Sequence, residues 1–114
     1  FYTHNRGDIP EELNKHITHC PSYSLFNDFF KCYADSNEKL IINLDIDYFF
    51  YDSPHSQLLF SDYAIEKLIE GIMTLIKDKR NILTIALSPN CCGGWKNSLK
   101  FMKKHFTKYD IVVD

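Results

Sequence analysis

Lys39-Leu-Ile-Ile-Asn-Leu-Asp-Ile-Asp47 and Asn81-Ile-Leu-Thr-Ile-Ala-Leu-Ser88 are the two stretches whose reading decides the fold of this chain. Each is a long apolar run of strand length, rich in isoleucine and leucine. Such a run suits a strand covered on both faces, as in a parallel sheet. The first is preceded by the turn residues Asp35-Ser36-Asn37, and the second is closed by Pro89. Between them Ile65, Leu68, Ile69, Ile72, Met73 and Ile76 recur at helical spacing and form one apolar stripe. Ser61 or Asp62 is placed to cap that helix, and residues 77–80 bring positive charge to its C-terminal end.

Working outward, residues 1–12 carry no periodic signal and read as irregular. Residues 15–20 read as a short strand ended by Pro21. Ser22 or Ser24 can cap a helix running to about Ala34 on Leu25, Phe26, Phe29, Phe30 and Tyr33. Residues 48–60 read as an aromatic loop broken at Pro54. After the loop Asn90-Cys-Cys-Gly-Gly94, a helix over residues 95–108 sets Trp95, Leu99, Met102 and Phe106 on one face, with Trp95 as a core anchor. Residues 110–114 look like a strand getting under way. Strand, helix, strand, helix, strand is the order of βαβ crossovers, so the expected class is α/β with a parallel sheet. The chain begins at Phe1 and stops in an apparent strand, so residues 1–114 are expected to be a single, partial α/β domain.

Composition narrows the class of function. At 114 residues, 45% apolar and 25% charged, the sequence is that of an ordinary globular domain, and 15% aromatics supply core bulk. A formal charge of −2 gives no basic field for nucleic acid. No apolar run reaches the roughly 20 residues of a membrane span. Cys20, Cys32, Cys91 and Cys92 lack the spacing of paired zinc knuckles, and two adjacent cysteines are a poor start for a disulfide framework. Reduced thiols in a cytoplasmic protein are the expectation.

Ligands in open α/β sheets collect beyond the carboxyl ends of the strands. Two loops leave such ends here. On a continuous strand Asp45 and Asp47 would point to the same side. Two carboxylates so close repel each other beside a core, and a divalent cation is the simplest neutraliser. The competing role is capping of the next turn or pairing with a lysine. In the second loop, Gly93 and Gly94 let a backbone approach a ligand, and the helix that follows offers unpaired N–H groups. A plain left-handed turn would account for the same glycines. His55 lies in the loop after the aspartates, where a proton-transfer group could reach substrate. His16 and His19 are three apart and fall on opposite faces of a strand, a geometry that does not suit a shared metal. Cys91 or Cys92 lies near a helix N-terminus, where a thiol becomes a better nucleophile, but no histidine is placed beside either. Lys96, Lys100, Lys103, Lys104 and Lys108 read as a solvated helix face.

Ile42-Asn-Leu-Asp-Ile-Asp-Tyr-Phe-Phe50, followed by Thr84-Ile-Ala-Leu-Ser-Pro-Asn-Cys-Cys-Gly-Gly-Trp95, resembles the C-terminal half of the peptide arginases. The likeness runs from about Lys39 to Phe101. It implies a three-layer α/β/α arginase/deacetylase-like fold and a hydrolase that converts arginine within a precursor peptide to ornithine and urea. It also implies a binuclear Mn2+ centre with Asp45 and Asp47 among its metal ligands, and substrate contacts from Asn90, Gly93 and Gly94. In that family further ligands come from an upstream histidine and a D-x-H-x-D segment, which this sequence does not contain, and a glutamate tends to stand where Asn90 is. A phosphatase of the haloacid dehalogenase type would use Asp45, Asp47 and Ser88 instead, although Tyr48 and Phe49 depart from its pattern. A third reading is a degenerate, non-catalytic domain that binds peptide through the Gly93-Gly94 loop.

Overall fold

The computed structural model describes residues 2–3, 18–19, 30, 33, 37–51 and 57–111. Its elements in chain order are β1 (Tyr2–Thr3), β2 (Thr18–His19), β3 (Ile41–Asp45), a 3-10 turn (Ile46–Phe49), β4 (Phe50–Tyr51), β5 (Gln57–Leu58), α1 (Asp62–Ile76), β6 (Ile82–Ala86), α2 (Trp95–Phe106) and a closing 3-10 turn (Thr107–Tyr109). Among the described residues the chain is mixed α/β, with the parallel pair β3–β6 and two long helices beside two shorter strand pairs, β1–β2 and β4–β5.

The two apolar stretches pair with each other. β3 and β6 run parallel, with Ile41 opposite Ile82, Asn43 opposite Thr84 and Asp45 opposite Ala86. Alternation along the strands divides their side chains between two faces. Ile42, Leu44, Leu83 and Ile85 pack toward the core formed with α1 and α2. Ile41 is 73% exposed and Ile82 54% exposed on the opposite face. The expectation of cover on both faces is therefore corrected: one face of this sheet is packed and the other is open. The Asn43 and Thr84 side chains bond to each other across the open face.

The helix over 62–76 forms as its periodicity demands. Ser61 is the N-cap, its Oγ accepting from the Ala64 N–H at 3.3 Å. Ile65, Leu68, Ile69, Ile72 and Leu75 are buried, whereas Met73 and Ile76 are half-buried at the edge of the stripe. The helix stops before the basic residues, and Lys77 is its C-cap. Asn81 completes the turn: its Nδ2 donates to the Leu75 carbonyl at 2.8 Å, and its Oδ1 accepts from the Leu40 N–H at 2.9 Å. One side chain thereby joins the end of α1 to the start of β3.

Other sequence expectations fare unevenly. Residues 48–60 are not a plain loop, because Phe50–Tyr51 and Gln57–Leu58 pair antiparallel as a short hairpin. Tyr2–Thr3, read as irregular, pairs parallel with Thr18–His19 inside the expected 15–20 strand. Phe30 and Tyr33 are helical, as expected of the segment ending near Ala34, whose other residues lie outside the described set. α2 ends at Phe106 in a 3-10 turn rather than continuing to 108, and Asp110 follows in the left-handed conformation (φ 59°). Of the expected final strand, Ile111 has no regular structure and residues 112–114 lie outside the described set. No helix among the described residues is long and apolar enough to cross a membrane.

The face of α2 also needs correction. Ser98, Phe101, Met102, His105 and Phe106 are buried, and Trp95 is 60% exposed. Trp95 shares its helix phase with Met102 and Phe106, seven and eleven residues on, but it stands at the first helical position, one end of the helix, and is left exposed there.

Phe30 lies against Gly71 of α1, where an added Cβ would come within 2.7 Å of the Phe30 ring. Gly71→Ala would gain helix propensity of about 1 kcal/mol. Overpacking against a ring costs about 1–3 kcal/mol. Denaturant melts should show Gly71→Ala to be destabilising in the wild-type background and stabilising once Phe30 is replaced by alanine. A gain in both backgrounds would mean that Phe30 yields freely.

Candidate functional site

Asp45 is the last residue of β3, and its role follows from its backbone. With φ −95° and ψ 121° it remains extended while acting as N-cap of the 3-10 turn 46–49, its Oδ1 accepting from the Asp47 N–H at 3.2 Å. A carboxylate in that position is favoured because it satisfies an amide the turn would leave unpaired. The strand ends two residues earlier than the alternation of the sequence suggests. Asp45 and Asp47 are thus not same-face residues of one strand; Asp45 leaves the strand end and Asp47 lies inside the turn, half-buried.

The neighbouring strand end supplies the partner. Ser88 Oγ donates to Asp45 Oδ1 at 2.5 Å. Ser88 has φ 36°, an uncommon backbone for a residue with a Cβ, directly before Pro89. Its carbonyl accepts from the amides of Cys91 at 3.0 Å and Cys92 at 3.2 Å. One strained residue thus holds both the carboxylate at the end of β3 and the start of the loop after β6. Asp45 Oδ1 is occupied by two donors, and no hydrogen bond to its Oδ2 forms among the described residues.

The loop closes on itself. The Gly94 N–H donates to the Pro89 carbonyl at 2.7 Å, and Gly93 and Gly94 take φ of 76° and 100°. Gly94 is the N-cap of α2, and its carbonyl accepts from Asn97 and Ser98. The expectation that Gly94 presents its own N–H to a substrate is therefore corrected, since that amide is spent within the loop. Its Cβ direction is open, with nothing within 4 Å.

Asn90 and Cys91 are exposed and Cys92 is fully buried; neither cysteine is in a disulfide. Burial pushes the Cys92 thiol up, opposed by a bond to Ser98, and the negative charges of Asp47 and Asp45 push it up further. A thiol held protonated is a poor nucleophile at neutral pH. The cysteine pair is packing on one side and loop surface on the other.

Gly94→Val tests what the loop does. The backbone at φ 100° strains any residue with a Cβ, so a loss of about 1–3 kcal/mol is expected. Because the added side chain meets open space, no clash adds to it. If substrate approaches over Gly94, turnover per folded molecule falls as well. Normal turnover per folded molecule, with a lower melting temperature on the same preparation, would leave Gly94 as a turn residue.

Sequence reasoning placed Asp45, Asp47, Ser88 and the glycine loop at one end of the parallel pair, and the structure brings Asp45 and Ser88 into contact there. It left the Ser88–Asp45 bond unread, though a serine just past the end of the neighbouring parallel strand was the available signal. His55 and His16 lie outside the described residues, as does the His19 side chain. Lys104 and Lys108 are not merely a solvated face: Lys104 Nζ bonds Asp62 Oδ2 at 2.6 Å, and Lys108 Nζ lies 3.9 Å from Glu66.

Two carboxylates are hard oxygen donors of the kind that hold Mn2+ or Mg2+. The uncommitted Oδ2 of Asp45 suits that role. Among the described residues no group of three or more histidine, cysteine, aspartate or glutamate side chains comes together, so Asp45 and Asp47 would make part of a coordination sphere. Comparison of the chain with family models, curated proteins and solved structures returned no match.

Proposed function

We propose that this chain carries part of the active site of a cytoplasmic, Mn2+-dependent hydrolase of the ureohydrolase type, converting arginine within a peptide to ornithine and urea on a three-layer arginase/deacetylase-like scaffold. The observation that supports it is the carboxylate of Asp45 at the carboxyl end of a parallel strand, with one oxygen fastened by Ser88 and Asp47 N–H and the other uncommitted among the described residues. Fastening one oxygen fixes the direction of the other, which is what a ligand to a hard cation needs.

Asp45 and Asp47 would hold the metal, and the bound cations would lower the pKa of water toward neutrality. Residues outside this chain would supply the remaining ligands. The exposed Asn90 and the Gly93-Gly94 turn would line the approach of the peptide. His55 is retained as a proton-transfer group on sequence grounds.

A second reading draws on one specific contact. The Ser88 hydroxyl bonded to Asp45 is the arrangement a haloacid-dehalogenase-type phosphatase would also use. The two separate by product. Incubation with arginine-containing peptide and Mn2+ should release urea and lower the peptide mass by one CH2N2 unit for each converted arginine. Phosphate release from an aryl phosphate under Mg2+, blocked by beryllofluoride, would replace this reading with the phosphatase. If neither product forms in the protein carrying all its metal ligands, a non-catalytic peptide-binding domain is left.

A further inference from the structure

His105 lies on the buried face of α2, 1% exposed, and among the described residues neither ring nitrogen has a hydrogen-bond partner. Its ring packs on Phe101 with centroids 4.7 Å apart. An imidazole in such a place is stable when neutral and costly when charged.

The charges around it come from both helices of the seam. Asp62 in the first turn of α1 has Oδ1 3.9 Å from His105 Nε2, while its Oδ2 accepts from Lys104 Nζ at 2.6 Å. Glu66, one turn further along α1, lies 3.9 Å from Lys108 of α2. Asp62 and Glu66 would attract an imidazolium; Lys104 and Lys108 would repel it. The positive end of the α1 dipole, at the turn that carries Asp62, repels it too.

We propose that the α1–α2 seam is an acid-sensitive latch in which His105 is the proton sensor and the Asp62–Lys104 pair is the clasp above it. Protonation leaves an imidazolium in an apolar pocket with its nearest carboxylate too distant for a hydrogen bond. Asp62 must move in and leave Lys104, or the last turn of α2 must open so that the ring reaches water. Asp62 is already paired and more than half exposed, so it compensates poorly. Opening of residues 101–109 is the outcome.

The sign is consistent with the site. Burial, chiefly, holds the His105 pKa below its ordinary value, and Lys104 adds to the depression. The stability contributed by the neutral ring is complete above the unfolded imidazole's pKa of about 6.5 and is lost as the pH falls toward the lower folded value. Asp62, held low by its bond to Lys104, stays charged through that window.

Amide hydrogen exchange of the whole chain at about pH 7.5 and 5.5, corrected for the intrinsic rate, reads the latch directly. Protection over residues 101–109 should drop by up to about tenfold on acidification in the wild type, more than over the helical core of α1. His105→Leu should abolish the drop, and His105→Gln serves the same purpose if the leucine variant folds poorly. Asp62→Asn should deepen it. A drop of equal size with His105 replaced would overturn the proposal. So would an NMR titration that finds His105 ionising at or above its ordinary value with protection retained.

Discussion

Replacing Asp45 or Asp47 by asparagine should remove at least one of the two manganese ions of a binuclear centre and cut urea release by about 100-fold or more. Asparagine keeps the size of the side chain and one oxygen. That oxygen can still accept from the Asp47 N–H and the Ser88 hydroxyl, the two bonds that Asp45 Oδ1 accepts. The 3-10 cap therefore survives, and the change in stability should stay within about 1 kcal/mol. Metal content measured by elemental analysis, beside a melting curve, separates a lost ligand from a lost fold. Unchanged metal content in both variants would end the proposal that these carboxylates are ligands. The 114-residue chain alone should bind manganese weakly, because Asp45 and Asp47 form only part of a shell. Tight binding by it would point to a third ligand among the residues outside the described set.

The largest effect on stability is expected at Phe49. It lies in the 3-10 turn two residues after Asp47, 1% exposed. Its ring stacks on Phe101 of α2 at 5.1 Å and meets Tyr48 and Phe60 edge-on at 5.3 and 6.1 Å. The turn that carries Asp47 is thus pinned to α2 through one aromatic cluster. Phe49→Ala should cost about 3–5 kcal/mol, from lost transfer energy and the cavity left behind. For a domain of this size that lowers Tm by on the order of 10–20 °C. Phe49→Leu, which refills most of the volume, should cost less than half as much. A loss below 1 kcal/mol in the alanine variant would mean that the cluster collapses to fill the gap, and that the turn is held by its backbone alone.

Long, regular segments were the legible part of the sequence. The stripe from Ile65 to Ile76 allowed a single helix phase, and the paired apolar runs allowed a parallel sheet. Asp45 and Asp47 were harder. The pattern D-x-D satisfies strand alternation and a capped turn equally, and the choice depends on whether the Asp45 side chain bonds the amide two residues on. That competition between side chain and ladder leaves no trace in periodicity. Trp95 was misplaced for another reason. Its size argues for burial and its spacing matches Met102 and Phe106, yet it stands at the first position of the helix, and periodicity does not mark where along a helix the packed stripe stops. The hairpin around residues 50–58 escaped because clustered aromatics and Pro54 imitate a loop. Of the candidate site, the gathering of Asp45, Asp47 and Ser88 at one end of the parallel pair was legible and their bonding was not. Ser88 has to adopt an uncommon backbone to reach Asp45, and a sequence carries no direct mark of strain.

Asn81 has a practical consequence for anyone altering this chain. The turn between α1 and β6 is mostly exposed and polar, the sort of place chosen for a tag, a linker or a permuted terminus. Yet the Asn81 amide measures the distance from the Leu75 carbonyl to the Leu40 N–H, and so sets where β6 starts beside β3. Shifting β6 by one residue would exchange its two faces and carry Ser88 away from Asp45. The turn therefore behaves as a gauge block of fixed length rather than as slack, and the safer place for an insertion is one that leaves the spacing from Leu75 to Asn81 untouched.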